Sequence, residues 1–301
     1  MEYAYHPTGL VQVWIMASIL VTGATGNVGV HVVRELRDRG ATVRAFARDP
    51  DKAKATLGAD VAIVYGDYAD GASLAGAMEA AASLFVLTPN SPRQAELETA
   101  ILDAAAAAGV RRVVKLSSIG AATGSPLAFW DAQGRLESHV GRVLPNAVIL
   151  RSSFYMSSLL GAAGPVKAMA KLFAPAGDGS IAMIDPRDVA AVAAALLSGT
   201  SHGGETLTVT GPESITYSRV AEELSTVLGK PVEFVNVPDD AARQAMIDGG
   251  MPEWFAVNLV RLFGFLRAGA AEATTSTVRD LLGREPRSFA EFARDHSGAF
   301  R

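Results

Sequence analysis

A short apolar run, Ile19-Leu20-Val21, breaks into Thr22-Gly23-Ala24-Thr25-Gly26-Asn27-Val28-Gly29, with three glycines three residues apart, and then turns helical. No other stretch narrows the possible folds as far. In a strand–glycine–helix unit the first glycine permits the tight turn, the second lets the backbone approach a pyrophosphate, and the third lets the helix pack close to the sheet. Free N–H groups at the helix start then face the anion. An ordinary glycine turn needs no such surroundings. Here the amphipathic pattern from Val28 to Arg39 and a second strand-like run, Thr42 to Ala47, supply the context of a dinucleotide fingerprint.

Bulk properties remove other classes. With 301 residues, 49% of them hydrophobic, the chain can bury a large core. A net charge of −4 offers no basic surface for nucleic acid, so no such partner is expected. There are no cysteines, which excludes disulfides, thiolate nucleophiles and thiolate metal ligands. The five histidines, His6, His31, His139, His202 and His296, lack metal-ligand spacing, and no metal site is expected. The apolar stretch Leu10 to Leu20 is too short to span a bilayer, is interrupted by Gln12 and has no positive segment before it. Neither a membrane partner nor a signal peptide is expected, and the expected location is cytoplasmic. Met16 sits just before the first strand, so residues 1–15 read as an extension the fold does not need.

After the glycine unit the chain must choose between cofactors. An acidic residue about twenty positions on usually holds the ribose hydroxyl of NAD, whereas a nearby Arg accepts the 2′-phosphate of NADP. Both types occur, as Asp49 and Arg48. Asp49 precedes Pro50, an N-cap and N1 pair that opens a helix over Asp51 to Leu57. Arg48 is left for the phosphate, which favours NADP(H) while keeping NAD(H) possible. The alternative is that Arg48 is a solvated surface charge. Asp60 to Tyr65 reads as a third strand ending in Gly66-Asp67-Tyr68, where Asp67 either binds the adenine amino group or shapes the turn. Ala72 to Ala82 reads as helix and Ser83 to Leu87 as a fourth strand. The following loop, Thr88-Pro89-Asn90-Ser91-Pro92, should flank the ribose and nicotinamide. Helix Gln94 to Ala108, closed by Gly109, leads to strand Arg112 to Leu116 and then Ser117-Ser118. Strand and helix alternate five times, the pattern of an α/β doubly wound parallel sheet of Rossmann type.

Taken together, Thr22 to Gly29, Arg48-Asp49-Pro50, Gly66-Asp67-Tyr68 and Lys115-Leu116-Ser117-Ser118 resemble the NmrA-like, atypical short-chain dehydrogenase/reductase family. Within it the chain is most similar to the NAD(P)H:quinone oxidoreductase and triphenylmethane reductase branch. The resemblance continues through Leu150-Arg151-Ser152-Ser153-Phe154-Tyr155, Asp185 to Ala190 and Gly249 to Phe255, and so covers nearly everything from Met16 onward. It implies a Rossmann domain over 16–152, a smaller, mostly helical C-terminal lobe over 153–301 that returns some segments to the sheet, and a substrate cleft between them. With the fingerprint it places cofactor contacts at Gly23, Thr25, Gly26, Asn27, Val28, Arg48, Asp67, Tyr68, Thr88, Pro89, Ser117 and Ser118.

One departure bears on mechanism. Better-known short-chain dehydrogenases use a Tyr-x-x-x-Lys pair, and none of Tyr3, Tyr5, Tyr65, Tyr68, Tyr155 or Tyr217 has Lys four residues later. No catalytic acid is therefore expected. Hydride would pass directly to an electron-poor conjugated acceptor such as a quinone, leaving catalysis to binding and orientation. The same gap suits a second reading, a non-catalytic NADP(H) redox sensor that binds a protein partner, as NmrA-like members can. It weakens a third, a nucleotide-sugar epimerase.

Ala147 to Leu150 reads as a sixth strand, and the lobe after it opens with Phe154, Tyr155 and Met156, either an aromatic wall for a flat substrate or plain core. Ser180 to Ile184 reads as a short strand, Arg187 to Leu197 as helix and Glu205 to Thr210 as strand. Then come helix Tyr217 to Leu228 capped by Thr216, strand Val232 to Val237, and helices over Asp239 to Ile247 and Glu253 to Leu266. The last of these is expected to bring Trp254 or Phe255 to the cleft mouth. Thr277 to Leu282 and a capping box at Ser288-Phe289-Ala290-Glu291 close the chain as structural elements. A monomer or homodimer is expected.

Overall fold

The computed structural model describes residues 18–199 and 202–301. The extension over residues 1–15 lies outside them. Seven parallel strands form one sheet: β1 (Ser18–Val21), β2 (Val43–Ala47), β3 (Ala62–Tyr65), β4 (Ala81–Val86), β5 (Arg112–Ser118), β6 (Val148–Ser152) and a strand from the second half, Thr206–Val209. Their order is β3-β2-β1-β4-β5-β6 with Thr206–Val209 added beyond β6, so the order reverses between β1 and β4. That is the doubly wound Rossmann arrangement, in which a ligand lies across the carboxyl ends of the strands at the switch point.

Helices cover both faces. On one side, α1 (Gly29–Asp38) packs beside Pro186–Ser198 over Val21, Phe85, Val114 and Leu150. On the other, α3 (Gly71–Met78), α4 (Gln94–Ala107) and α5 (Ala128–Val143) cover Leu20, Leu84, Val86 and Val113. A shorter helix, α2 (Pro50–Leu57), starts where Asp49 accepts the backbone N–H of Lys52 and Pro50 fills N1, as the Asp-Pro pair predicts. The strand of residues 81–86 begins earlier than the sequence suggests. Ala81 and Ala82, read as the end of a helix, belong to it because Ser18 of β1 pairs with Ala81, and Ala82 falls where the register shifts before Ile19 pairs with Ser83.

After β6 the chain makes a 3₁₀ turn, Met156–Ala162, and a helix, α6 (Ala163–Met169), that ends on Ala170 with φ 54°. Then β7 (Lys171–Ala174) pairs in parallel with a later strand, Glu233–Asn236. The strand expected over Ser180 to Ile184 is absent. Ile181 bridges Ile215 in the antiparallel sense and Ile184 bridges Tyr155 in the parallel sense, so no ladder can propagate. The remaining elements are α7 (Pro186–Ser198), β8 (Thr206–Val209), α8 (Tyr217–Leu228), β9 (Glu233–Asn236), α9 (Asp239–Asp248), α10 (Glu253–Arg267), α11 (Thr277–Leu282), α12 (Phe289–Asp295) and α13 (Ser297–Phe300). Of these, α7, β8 and α11 join the Rossmann layers, while the others build a second core around Leu172, Val220, Phe263 and Phe289.

Local capping fixes these boundaries. Asp185 caps α7, Thr216 caps α8, Gly229 ends α8 with φ 67°, and Ser288 with Glu291 forms a complete capping box at α12. Asp188, buried in the first turn of α7, accepts hydrogen bonds from Arg284 at 2.7 Å, from the backbone N–H of Arg287 at 2.6 Å and from the Arg287 guanidinium, which ties the C-terminal segment to the Rossmann layer.

Candidate functional site

A cleft of about 820 Å³ runs along the carboxyl ends of the strands and under α10. Its first end is the glycine turn. Gly23 has φ 63°, and a Cβ there would sit 2.6 Å from the Leu87 carbonyl oxygen. At Gly29 an added Cβ would lie 2.0 Å from the Gly23 carbonyl oxygen, so α1 can approach β1 only because that residue has no side chain. Gly26 differs: an added Cβ meets the Gly23 oxygen at 3.2 Å and nothing else, so the remaining side of this position is open. No side chain caps α1, and its first turn carries no acidic residue to compete for an anion. Such a cradle fits a dinucleotide pyrophosphate.

Tyr68 braces the turn. Its hydroxyl accepts the Gly23 N–H at 2.9 Å, and its ring stacks on Phe46 with centroids 5.2 Å apart. Arg48 and Lys52 line the same end, both exposed, and neither makes an ion pair among the described residues. Asp49 is engaged with the N-terminus of α2. Two free cations and an occupied carboxylate are what a ribose 2′-phosphate requires.

Toward the middle, Thr88, Pro89, Ser117 and Ser118 line the wall at the ends of β4 and β5. The Ser117 hydroxyl donates to Glu137 at 2.6 Å, and Arg151 holds the same carboxylate, so the free lone pairs of Ser117 remain available to accept. Asn27 reaches from the glycine turn to Ser157 at 2.8 Å.

The far end is apolar. Ile119, Phe129, Trp130, Phe154, Phe255 and Leu259 surround it. Here Phe255 packs on Phe129 with centroids 5.2 Å apart and Trp130 on Phe265 at 4.7 Å. The tyrosines lining the cleft, Tyr68 and Tyr155, are both weak acids. Burial pushes the Tyr68 phenol up and pushes Tyr155 up to about 12, and the Tyr155 hydroxyl is paired with Ser152 at 2.8 Å.

Gly23, Thr25, Gly26, Asn27, Val28, Arg48, Tyr68, Thr88, Pro89, Ser117, Ser118, Phe154, Tyr155 and Phe255 thus come together in one cleft. Three expected residues do not. Asp67 turns its carboxylate back onto the N–H of Ala69 at 2.9 Å and shapes the turn. Met156 is buried in the lobe core, its backbone N–H bonded to Ile184. Trp254 stands edge-on to Phe129 at 5.4 Å and supports the lining from behind. Lys52, Phe129, Trp130 and Gln133 also line the cleft, and nothing in the spacing marks them, because a helix start or an amphipathic helix would carry them in any case. Among the described residues, no cluster of three or more His, Asp or Glu forms a metal-binding group, and no helix is long and apolar enough to cross a membrane.

The sequence profile of the NmrA-like family matches residues 16–293. The chain belongs to the NmrA-like family. Among its relatives, an NAD(P)H azoreductase of Xenophilus azovorans is 34% identical over 94% of this chain and 99% of its own. A (4-alkanoyl-5-oxo-2,5-dihydrofuran-3-yl)methyl phosphate reductase of Streptomyces griseus is 38% identical, with the same coverage. The solved structure of the NADPH-dependent quinone oxidoreductase QOR2 of Escherichia coli, complexed with NADPH, superposes with a TM-score of 0.85 at 27% identity, covering 93% of this chain and 99% of that one.

Proposed function

We propose that this chain is an NADPH-dependent reductase that passes hydride directly to a quinone or similar flat conjugated acceptor, with no side chain acting as the acid. The observation that carries this reading is a single cleft with two unlike ends. One holds an anion cradle and two unpaired cations; the other is lined by aromatic and aliphatic side chains with no titratable group poised for proton transfer. The broader class, an NAD(P)H-dependent oxidoreductase, rests on family membership and on reductases that share nearly the whole chain.

When bound, the dihydronicotinamide supplies the hydride. Backbone N–H groups at the start of α1 hold the pyrophosphate, Arg48 and Lys52 select the 2′-phosphate, and Ser117 accepts a hydrogen bond near the junction of the two ends. Phe129, Trp130, Phe154 and Phe255 would hold a flat acceptor in the apolar end of the cleft and exclude water, so that orientation supplies most of the rate.

The test is a titration of the purified protein with NADPH and NADH, followed by a panel of quinones and cationic dyes while the reduced-nicotinamide absorbance is recorded. Tighter binding of NADPH than NADH, and oxidation only when an acceptor is present, is the expected result. Tight binding with no acceptor reduced would overturn the reductase reading in favour of a redox-sensing protein.

A further inference from the structure

Beneath the wall of the cleft lies a buried polar cluster with no part in the steps above. Lys115 on β5 and Glu98 on α4 are both fully buried, with Nζ 3.3 Å from one carboxylate oxygen. The other Glu98 oxygen accepts from the Thr88 N–H at 3.2 Å, the Thr88 hydroxyl at 2.8 Å and the Gln94 amide at 3.2 Å. Burial lowers the pKa of Lys115, and the Glu98 carboxylate opposes that shift. The Lys115 ammonium also donates to the side-chain oxygen of Gln133 on α5.

Lys115 Nζ, held against the Glu98 carboxylate, donates to the oxygen of the Gln133 amide, so the NH₂ of that amide points away from it. Gln133 lines the cleft beside Trp130 and Ser117, and its Nε2 has no partner among the described residues. The Lys115–Glu98 pair therefore fixes an otherwise ambiguous amide with its donor edge toward the cleft.

We propose that Gln133 Nε2–H stabilises the oxygen on which charge develops when a quinone takes up hydride, with Lys115 as the positioning residue that holds the amide in that orientation. This rests on the reductase reading. One quinone, one NADPH and one solvent proton give one hydroquinone and NADP⁺. The quinone forms a bond to hydride at one end of its conjugated system, an electron pair shifts to the oxygen at the other end, and that oxygen takes its proton from solvent as the product leaves the cleft. A preorganised donor in a site shielded from water binds this oxygen better than it binds the starting carbonyl. A cationic triphenylmethane dye needs no such donor. Its central carbon forms the new C–H bond, the cation becomes neutral, and no oxygen gains charge. Gln133 thus separates two acceptor chemistries within one cleft.

The test uses Gln133→Met, which removes the donor at similar volume, and Gln133→Glu, which keeps the contact to Lys115 but lacks the N–H. Both should lower kcat for a benzoquinone about 100-fold, the usual effect of deleting one such donor. In Gln133→Met, which adds no charge, NADPH affinity should stay within about threefold and the rate with a cationic dye should fall far less than the quinone rate, because neither uses the donor. A quinone kcat within about threefold of wild type, or quinone and dye rates falling together, would overturn the proposal. If wild type reduces the quinone alone, NADPH affinity is the control, and a parallel loss of affinity overturns it. Wild type inactive with every acceptor refutes the reductase reading itself, whatever the variants do.

Discussion

Gly26 in the turn and Gly29 at the start of α1 sit three residues apart, yet alanine should have opposite consequences at the two positions. At Gly29 the added Cβ would fall 2.0 Å from the Gly23 carbonyl oxygen, 2.7 Å from its carbon and 2.8 Å from the Ala24 Cα. All three are backbone atoms, so α1 itself must move away from β1. Overpacking of this kind costs about 3 kcal/mol or more. At roughly 2–4 °C per kcal/mol for a chain of this size, Gly29→Ala should lower Tm by about 6–12 °C. At Gly26 the sole contact is the Gly23 oxygen at 3.2 Å, which a shift of a few tenths of an ångström relieves. The cost is below about 1 kcal/mol, and Tm should fall by less than about 4 °C. That methyl would instead stand where a pyrophosphate must approach the backbone. Losing one charge-assisted hydrogen bond costs about 1.5–3 kcal/mol, which raises the NADPH dissociation constant about 10- to 150-fold. Thermal melts without cofactor and a fluorescence titration with NADPH separate the two effects. A Gly26→Ala variant that melts as early as Gly29→Ala, or that binds NADPH as wild type does, would refute these assignments.

Further consequences follow from the same geometry. Arg48→Ala should weaken NADPH about tenfold or more while changing NADH by less than about threefold, since one phosphate ion pair is lost and nothing else; equal losses for the two cofactors in parallel titrations would show that Arg48 does not read the 2′-phosphate. Asp188→Ala should destabilise the chain by about 2–4 kcal/mol in urea unfolding, because it strips the Arg287 backbone N–H and two guanidinium groups of their acceptor. NADPH affinity should be retained, since Asp188 does not line the cleft; a loss of affinity in a stably folded variant would contradict this. His31 titrates below its ordinary 6.5, chiefly because burial disfavours the imidazolium. The unfolded chain therefore binds the extra proton first, so stability falls as pH drops below 6.5 and is unaffected above it. His31→Gln should flatten that acid limb in pH-dependent melts, and an unchanged limb would assign it to other groups.

What the sequence reveals and what it conceals divides along the range of the interactions. The glycine turn, the Asp49-Pro50 and Asp185-Pro186 helix starts, the Gly229 stop and the Ser288 capping box are local backbone chemistry, and each stands where the residues place it. Strand β7 is different. Four residues, Lys171–Ala174, become a strand only because Glu233–Asn236 lies alongside, a pairing no local pattern encodes. Ser180 to Ile184 shows the reverse: strand-like residues whose two bridging partners run in opposite senses. Within the site, Trp254 and Phe255 are adjacent in sequence, but successive helix positions point about 100° apart, so one lines the cleft and the other backs it. The Lys115, Glu98 and Gln133 cluster was illegible because a strand and two helices each supply one member. Lys115 stood in the sequence as part of a family motif, with no sign that its charge would be wholly buried.

Direct hydride transfer within the cleft is most sharply tested by an anaerobic single turnover with NADPH deuterated at the transferring position, mixed with the best quinone acceptor. Direct transfer gives no oxidation before the acceptor is added, then one phase of NADPH loss with a primary isotope effect that follows quinone reduction one for one. Bound NADPH that persists unchanged with every quinone and dye, or oxidation that proceeds equally without an acceptor, would contradict it.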